Sequence, residues 1–182
     1  MPDIRQRVQE DQGVLKRIQN FVPGFRGYRK REDLRDADRM LRSQIAQELG
    51  KVRKALEDSR SLVAGGWNSR ELELMGGVIA QLKKVEGKVL HAETGYSGFV
   101  ADIEVKEDEI YRLYDHDANM LDMLNDMHSS VDNIRSSLIS REGAQAQNDI
   151  LQMRTLINNF EMQFERRLKL ITGTEVQECQ LL

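Results

Sequence analysis

Six acidic and imidazole side chains fall within one short stretch and are the first candidates for chemistry: Asp115, His116, Asp117, Asp122, Asp126 and His128. On a helix, Asp115, Asp122 and Asp126 share one face, and their carboxylate oxygens suit hard cations. The simpler interpretation is a solvated acidic face, because the spacing is helical and not that of a calcium-binding loop. We therefore predict no metal site and no cofactor, and we keep a metal-binding helical bundle as the third functional alternative.

Two other metal chemistries find little support. Carboxylate-bundle oxidases use Glu-x-x-His motifs on facing helices. The residues three positions before the three histidines are Lys88, Leu113 and Asn125. Met120, Met123 and Met127, together with His116, contain soft ligands for cuprous ion. Methionine is also an adaptable core residue, so we expect these three side chains to pack in the core.

A basic stripe is the first candidate interaction surface: Arg31, Arg35, Arg39 and Arg42. Residues 26–42 carry seven basic and four acidic side chains, a local net charge of +3. Such a stripe could bind phosphates of a lipid or a nucleic acid. The interleaved acids favour ion pairs within the helix instead, such as Asp38 with Arg42.

A loop supplies the second candidate surface, through Tyr96 and Phe99 in the sequence Gly95-Tyr-Ser-Gly-Phe99. The loop matches neither a phosphate-binding loop nor the Gly-x-Ser-x-Gly turn of hydrolases. It is either a docking loop or a segment that packs across the end of a bundle. Residues 102–126 contain nine acids and two bases, a net charge of −7, so the acidic and basic stretches could face each other within or between subunits.

The elements that position these residues follow from a heptad pattern. An uninterrupted 3,4 spacing links nine residues: Ile110, Leu113, Asp117, Met120, Leu124, Met127, Val131, Ile134 and Leu138. This spacing keeps one stripe of a long helix against a partner helix. Asp117 is the only polar member, and we predict that it fixes register by pairing with an arginine or a tyrosine hydroxyl.

Four further helices are predicted from apolar spacing and from helix-breaking residues. The first covers Ile4 to Val22 and ends before Pro23, and the second covers about 30 residues and ends at Gly65-Gly66. The third starts near Asn68 or Ser69, and Gly76-Gly77 within it predicts a close helix contact or a kink. The last carries Ile150 to Ile171, after a break near residues 140–143. The fold class is therefore all-α, an up-and-down bundle of four to five long antiparallel helices with coiled-coil-like packing.

Composition agrees with this fold class. The 182 residues are 31% charged and 5% aromatic, with a net charge of −3, which is typical of long amphipathic helices. No apolar run approaches the roughly 20 residues of a membrane span, and one cysteine excludes an internal disulfide. We expect a soluble, cytoplasmic protein. The final Cys179-Gln-Leu-Leu182 formally matches a prenylation signal, a short pattern that also arises by coincidence.

Two stretches carry a resemblance. Pro23-Gly-Phe-Arg-Gly-Tyr-Arg29, continuing through Arg35-Asp-Ala-Asp-Arg-Met-Leu-Arg42, and Gly95-Tyr-Ser-Gly-Phe99 with Arg112-Leu-Tyr-Asp115, resemble a group of uncharacterised prokaryotic helical proteins. The resemblance spans about residues 21 to 125 and implies no activity or catalytic residue. It implies a partner linked to the membrane, of the band-7 scaffold type.

The functional prediction is a non-catalytic helical scaffold or adaptor that binds another protein or itself. We expect residues 1–24 to form an N-terminal amphipathic helix, 25–173 a helical bundle and 174–182 a flexible tail. The alternative is a peripheral membrane-remodelling factor of the phage-shock type, located at the membrane through residues 4–22. Nucleic-acid binding ranks last, because the chain is acidic overall.

Overall fold

The computed structural model describes residues 4–25, 31–63, 69–92 and 107–172, and side chains within most of these ranges. Among these residues it contains five α-helices and no strand. The helices are α1 (Ile4–Phe21), α2 (Arg31–Val63), α3 (Ser69–His91), α4 (Glu107–Ile139) and α5 (Gly143–Thr172). The predicted all-α bundle is confirmed.

Two helices are followed by a turn that contains a residue with left-handed backbone conformation. After α1, Gly24 has φ of 84°, which glycine adopts without steric cost. After α4, the residue in this conformation is Arg141, with φ of 57°. The amide of Arg141 donates to the Leu138 carbonyl and that of Glu142 to the Ser137 carbonyl, the two bonds of a Schellman motif. The short turn between α4 and α5 therefore places an arginine in the left-handed conformation, although a glycine, Gly143, lies two residues further along the chain.

The chain forms two compact units, to which α2, α4 and α5 each contribute a part. Unit 1 contains α1 with residues 31–44, 107–121 and 163–172 of the long helices. Its core includes Ile18, Val22, Phe25, Leu41, Leu113, Met120 and Phe164. The described part of α1 is thus a structural member of unit 1.

Unit 2 contains α3 with residues 45–63, 122–139 and 143–162. Its core includes Leu49, Val52, Leu56, Met75, Leu82, Leu124, Met127, Ile134, Met153 and Phe160. Polar contacts join its four helices in a ring. Helix α2 contacts α3 through Arg53 and Glu86, and α3 contacts α5. Helix α5 contacts α4, and α4 contacts α2 through His128 and Glu48.

Helices α3 and α5 run parallel where they touch in unit 2. Gln147 donates to Glu71 at 2.6 Å and Gln81 donates to Asn158 at 2.5 Å, so residue numbers rise together along both helices. The parallel neighbours are a feature that the heptad pattern does not specify.

Among the described residues, the glycine pair within α3 makes no close helix contact. A Cβ atom added at Gly76 or Gly77 would meet no described atom within 4 Å. At Gly50 of α2, in contrast, an added Cβ would lie 3.1 Å from Oε1 of Glu86. Close packing at Gly76-Gly77 is therefore not seen among the described residues, and the alternative of a kink stays a prediction. The close approach occurs at Gly50, where Glu86 crosses to reach Arg53.

Candidate functional site

Asp117 pairs with a buried arginine, as its place in the apolar seam predicts. Arg167 of α5 donates from Nε to Asp117 and from Nη1 to Asp38 of α2, each at 2.5 Å. The side chains of Asp117 and Arg167 are completely buried. The predicted pairing of Asp117 is confirmed, and its role in fixing register stays a prediction.

A second arginine completes this arrangement. Arg42 donates from Nε to Oδ2 of Asp38 at 2.9 Å and from Nη1 to the carbonyl of Ala92 at 2.7 Å. We call the four side chains the ionic cluster: Asp38, Arg42, Asp117 and Arg167. The two cations and two anions balance within the ionic cluster, and removing one member leaves a buried charge uncompensated.

The basic stripe is therefore not one continuous surface. Arg42 is 8% exposed and belongs to the ionic cluster, so the interpretation of Arg42 as a residue that binds an external partner is wrong. The Asp38–Arg42 ion pair is confirmed. Arg39 is exposed, whereas the side chains of Arg31 and Arg35 lie outside the described set. Tyr96 and Phe99 also lie outside the described residues, so the docking-loop prediction stays open.

The acidic and imidazole stretch is dispersed over α4. Asp115, Asp122 and Asp126 are exposed, His116 contacts Gln163 at 3.2 Å, and His128 contacts Glu48. Among the described residues, no group of three or more histidine, cysteine or acidic side chains is arranged to hold a metal ion. Met120 and Met127 lie in the core.

The membrane alternative relies on α1. Ile18 is fully buried and Val22 nearly so, while Lys16 and Arg17 are exposed. Binding of Ile18 and Val22 to a lipid surface would therefore require this end of α1 to leave unit 1. Within the described part of the chain, no helix combines the length and apolar character needed to cross a bilayer.

An unpredicted surface lies on α5. Six exposed residues follow a 4,3,4,3,4 spacing, which we call the outer seam: Ala144, Asn148, Leu151, Thr155, Asn158 and Met162. Leu151 is 45% exposed and Met162 is 50% exposed. This spacing resembles that of the buried seam on the other side of the same helix, so α5 carries two heptad stripes and uses one of them inside the protein.

The outer surface of α5 is almost uncharged. Of its ten exposed positions between residues 144 and 162, only Arg154 is charged. Of the seven exposed positions between 45 and 61 on α2, five are charged. A chain with 31% charged residues thus leaves one helix face without the charges that normally solvate a helix surface.

Charged residues flank this face on the side of α3. Lys84 and Lys88 both contact Oε1 of Glu161, at 3.2 and 3.0 Å. The hydrogen bond from Lys88, followed by that from Lys84, lowers the pKa of Glu161 against the opposing effect of burial. Glu161 is consequently ionised at neutral pH and borders the outer seam with a negative charge.

The sequence analysis missed two features of this site, of which only Arg167 could have been found from the sequence. Continuing the inner heptad of α5 by three residues from Phe164 reaches Arg167, whereas following hydrophobicity alone selects Leu168, which is only half-buried. The outer seam required knowledge of which α5 face is buried, because its asparagines and threonine carry no hydrophobic signal.

Comparisons of the chain with protein-family models, with curated proteins and with solved structures gave no match.

Proposed function

We propose that this protein is a non-catalytic helical scaffold or adaptor that acts by binding protein through the outer seam of α5. The observation that carries the proposal is the contrast in exposed charge between α5 and its neighbours in unit 2. Protein interfaces are depleted of charge at their centre and enriched in residues such as methionine. Leu151 and Met162 would supply apolar contacts, and the asparagines and threonine between them would supply hydrogen bonds.

The ionic cluster has a supporting role in this proposal. Its four side chains are buried and pair two acids with two arginines, so we assign it the role of holding helix positions. The absence of a catalytic motif in the sequence agrees with a function based on binding. The expected partner at the outer seam presents a helix face with few charges, because a charged face would lose hydration there without gaining ion pairs.

Site-specific photocrosslinking in the source cells tests the proposal. A benzophenone amino acid replaces Leu151 in one variant and Lys54 in a control variant, since the Lys54 side chain is 74% exposed on α2. We expect a discrete protein adduct, to this chain or to another, from position 151 and none from position 54. Adducts absent at position 151, or equal at both positions, would show that the outer seam is not an interaction surface.

A further inference from the structure

We infer that the occupant of the outer seam is a second copy of this chain, bound with the two α5 helices antiparallel. The inference rests on the proposed function and specifies its partner. A two-fold symmetric contact requires a surface that is complementary to itself. The outer seam meets this requirement in apolar contacts, in hydrogen bonding and in charge.

The apolar contacts follow from the spacing within the seam. Leu151 and Met162 lie symmetrically about the midpoint between residues 156 and 157. Two antiparallel α5 helices that share this midpoint place Leu151 of each copy against Met162 of the other. Thr155 then faces Asn158, so a hydroxyl and an amide meet at the centre of the contact.

Charge selects this register. In antiparallel heptad packing, the positions that flank the seam pair with one another, and here they are Arg154 of one copy and Glu161 of the other. Arg154 has no ion pair among the described residues, and both lysines that contact Glu161 use the same oxygen, Oε1. A dimer thus gains two Arg154–Glu161 pairs, related by the two-fold axis.

The neighbouring antiparallel register is disfavoured by the same residues. Shifting one helix by seven residues places Asn148 against Asn158 and Leu151 against Thr155. It also brings the two Arg154 side chains together at the axis, and like charges in contact oppose association. A parallel pair would align Leu151 with Leu151 but would leave Arg154 next to Asn159, without an ion pair.

The contact involves one helix from each copy. Interfaces below about 1,200 Å² are typical of weak or transient complexes, so we expect reversible association that depends on concentration. The test therefore traps the dimer with a disulfide bond. The cysteine positions that react identify the register of the two helices.

Disulfide trapping tests the antiparallel register directly. The full chain carries Cys179→Ser and either Leu151→Cys or Met162→Cys, with tags of different mass. A disulfide requires Cα atoms within about 7 Å, which the proposed register provides between positions 151 and 162 of different copies. Equivalent positions 151 in the two copies would lie about 16 Å apart along the helix axis, because they are offset by eleven residues.

We expect the mixture of the two variants to form the crosslinked heterodimer at about ten times the yield of either variant alone. A mixture of Lys54→Cys with Met162→Cys is the matched control and should give only the background yield. Equal yields in all mixtures would overturn the inference. Efficient crosslinking of Leu151→Cys alone would also overturn it, because that result indicates parallel helices.

Charge reversal provides a second test that does not rely on cysteines. Arg154→Glu places two acids at each flanking contact, and we expect about a ten-fold rise in the dimer dissociation constant. Lys83→Glu makes the same change in net charge at an exposed position of α3 and should leave association unchanged. The same effect from both variants, or from neither, would contradict the inference.

These results separate the inference from the proposed function. If position 151 crosslinks to a different protein in cells while the cysteine mixtures show only background, the partner is not a second copy and the adaptor proposal stands. If position 151 gives no adduct at all, both are wrong.

Discussion

Unit 1 neutralises its buried acids with buried arginines, whereas unit 2 holds its buried acids with neutral donors. In unit 1, Arg167 joins Asp38 and Asp117. In unit 2, Glu71 accepts a hydrogen bond from Gln147, and Asp149 accepts from Ser137 and Gln145.

The ion pairs of unit 2 lie at partly exposed positions instead. Arg53 donates hydrogen bonds to Glu86 and Glu57. These bonds raise the pKa of Arg53 above its ordinary value, and the bond to Glu86 has the larger effect. The comparison shows how one set of long helices combines two kinds of polar interaction. Unit 1 places ion pairs in its interior, and unit 2 carries one helix face on which Arg154 is the only charged residue among the exposed positions from 144 to 162.

The largest expected effect comes from removing the buried cation of unit 1. Arg167→Met leaves Asp38 and Asp117 without their shared partner, and loss of one member of a buried ion pair costs about 3–5 kcal/mol. Arg53→Met removes two partly exposed ion pairs from unit 2 and should cost less than about 1 kcal/mol. Urea unfolding of both variants measures the difference. Equal losses would show that the two units do not differ in their use of charge.

The second largest expected change in stability comes from neutralising one buried acid in each unit. Asp117→Asn weakens a hydrogen bond between charged groups, and we expect a loss of about 2 kcal/mol. Glu71→Gln keeps the acceptor for Gln147 and removes a buried carboxylate that has no cation partner among the described residues, so we expect a change below about 1 kcal/mol. Thermal unfolding of the two variants provides the measurement. A larger loss for Glu71→Gln would contradict the contrast between charged and neutral partners.

The glycines of unit 2 test which helix positions are crowded. Gly76→Ala and Gly77→Ala should each stabilise the fold by about 1 kcal/mol, because alanine favours helix and the added Cβ meets no described atom. Gly50→Ala should gain less or lose stability, because its Cβ would approach Glu86. Urea midpoints compare the three variants, and a loss from Gly76→Ala would reveal a contact outside the described residues.

The two left-handed positions give effects of a similar size, with opposite signs. Arg141→Gly should stabilise unit 2 by about 1 kcal/mol, because a side chain is unfavourable in this backbone conformation. Gly24→Ala should destabilise unit 1 by about the same amount, and its Cβ would also lie 3.2 Å from Met40. Differential scanning calorimetry measures both variants. A loss from Arg141→Gly would show that the arginine side chain stabilises the turn.

Much of the fold could be predicted from the sequence, since apolar spacing and helix-breaking residues act locally. Helix α1 ends before Pro23, α3 starts at Ser69, and the α4 seam from Ile110 to Leu138 lies inside one helix. The break between α4 and α5 was also located. Gly143 begins α5, however, and the left-handed position falls on Arg141, because the helix ends where its carbonyls find Schellman partners.

The remaining features depend on which helices meet, and spacing alone does not specify that. Asp117 was recognised as needing a partner, but Arg167 was missed because an arginine in a core stripe contradicts the hydrophobic pattern. Arg42 was assigned to a surface, although its partner Asp38 directs it inward. The parallel contact between α3 and α5 and the outer seam both follow from tertiary packing.

Sedimentation velocity of the purified chain across a range of concentrations tests the central claim most directly. The double variant Leu151→Glu, Met162→Glu is the comparison, because both positions are exposed and their replacement leaves the core intact. We predict that the wild-type sedimentation coefficient rises with concentration toward that of a dimer, while the variant remains monomeric throughout. Identical behaviour of the two proteins, whether both monomeric or both associated, would contradict a self-binding outer seam.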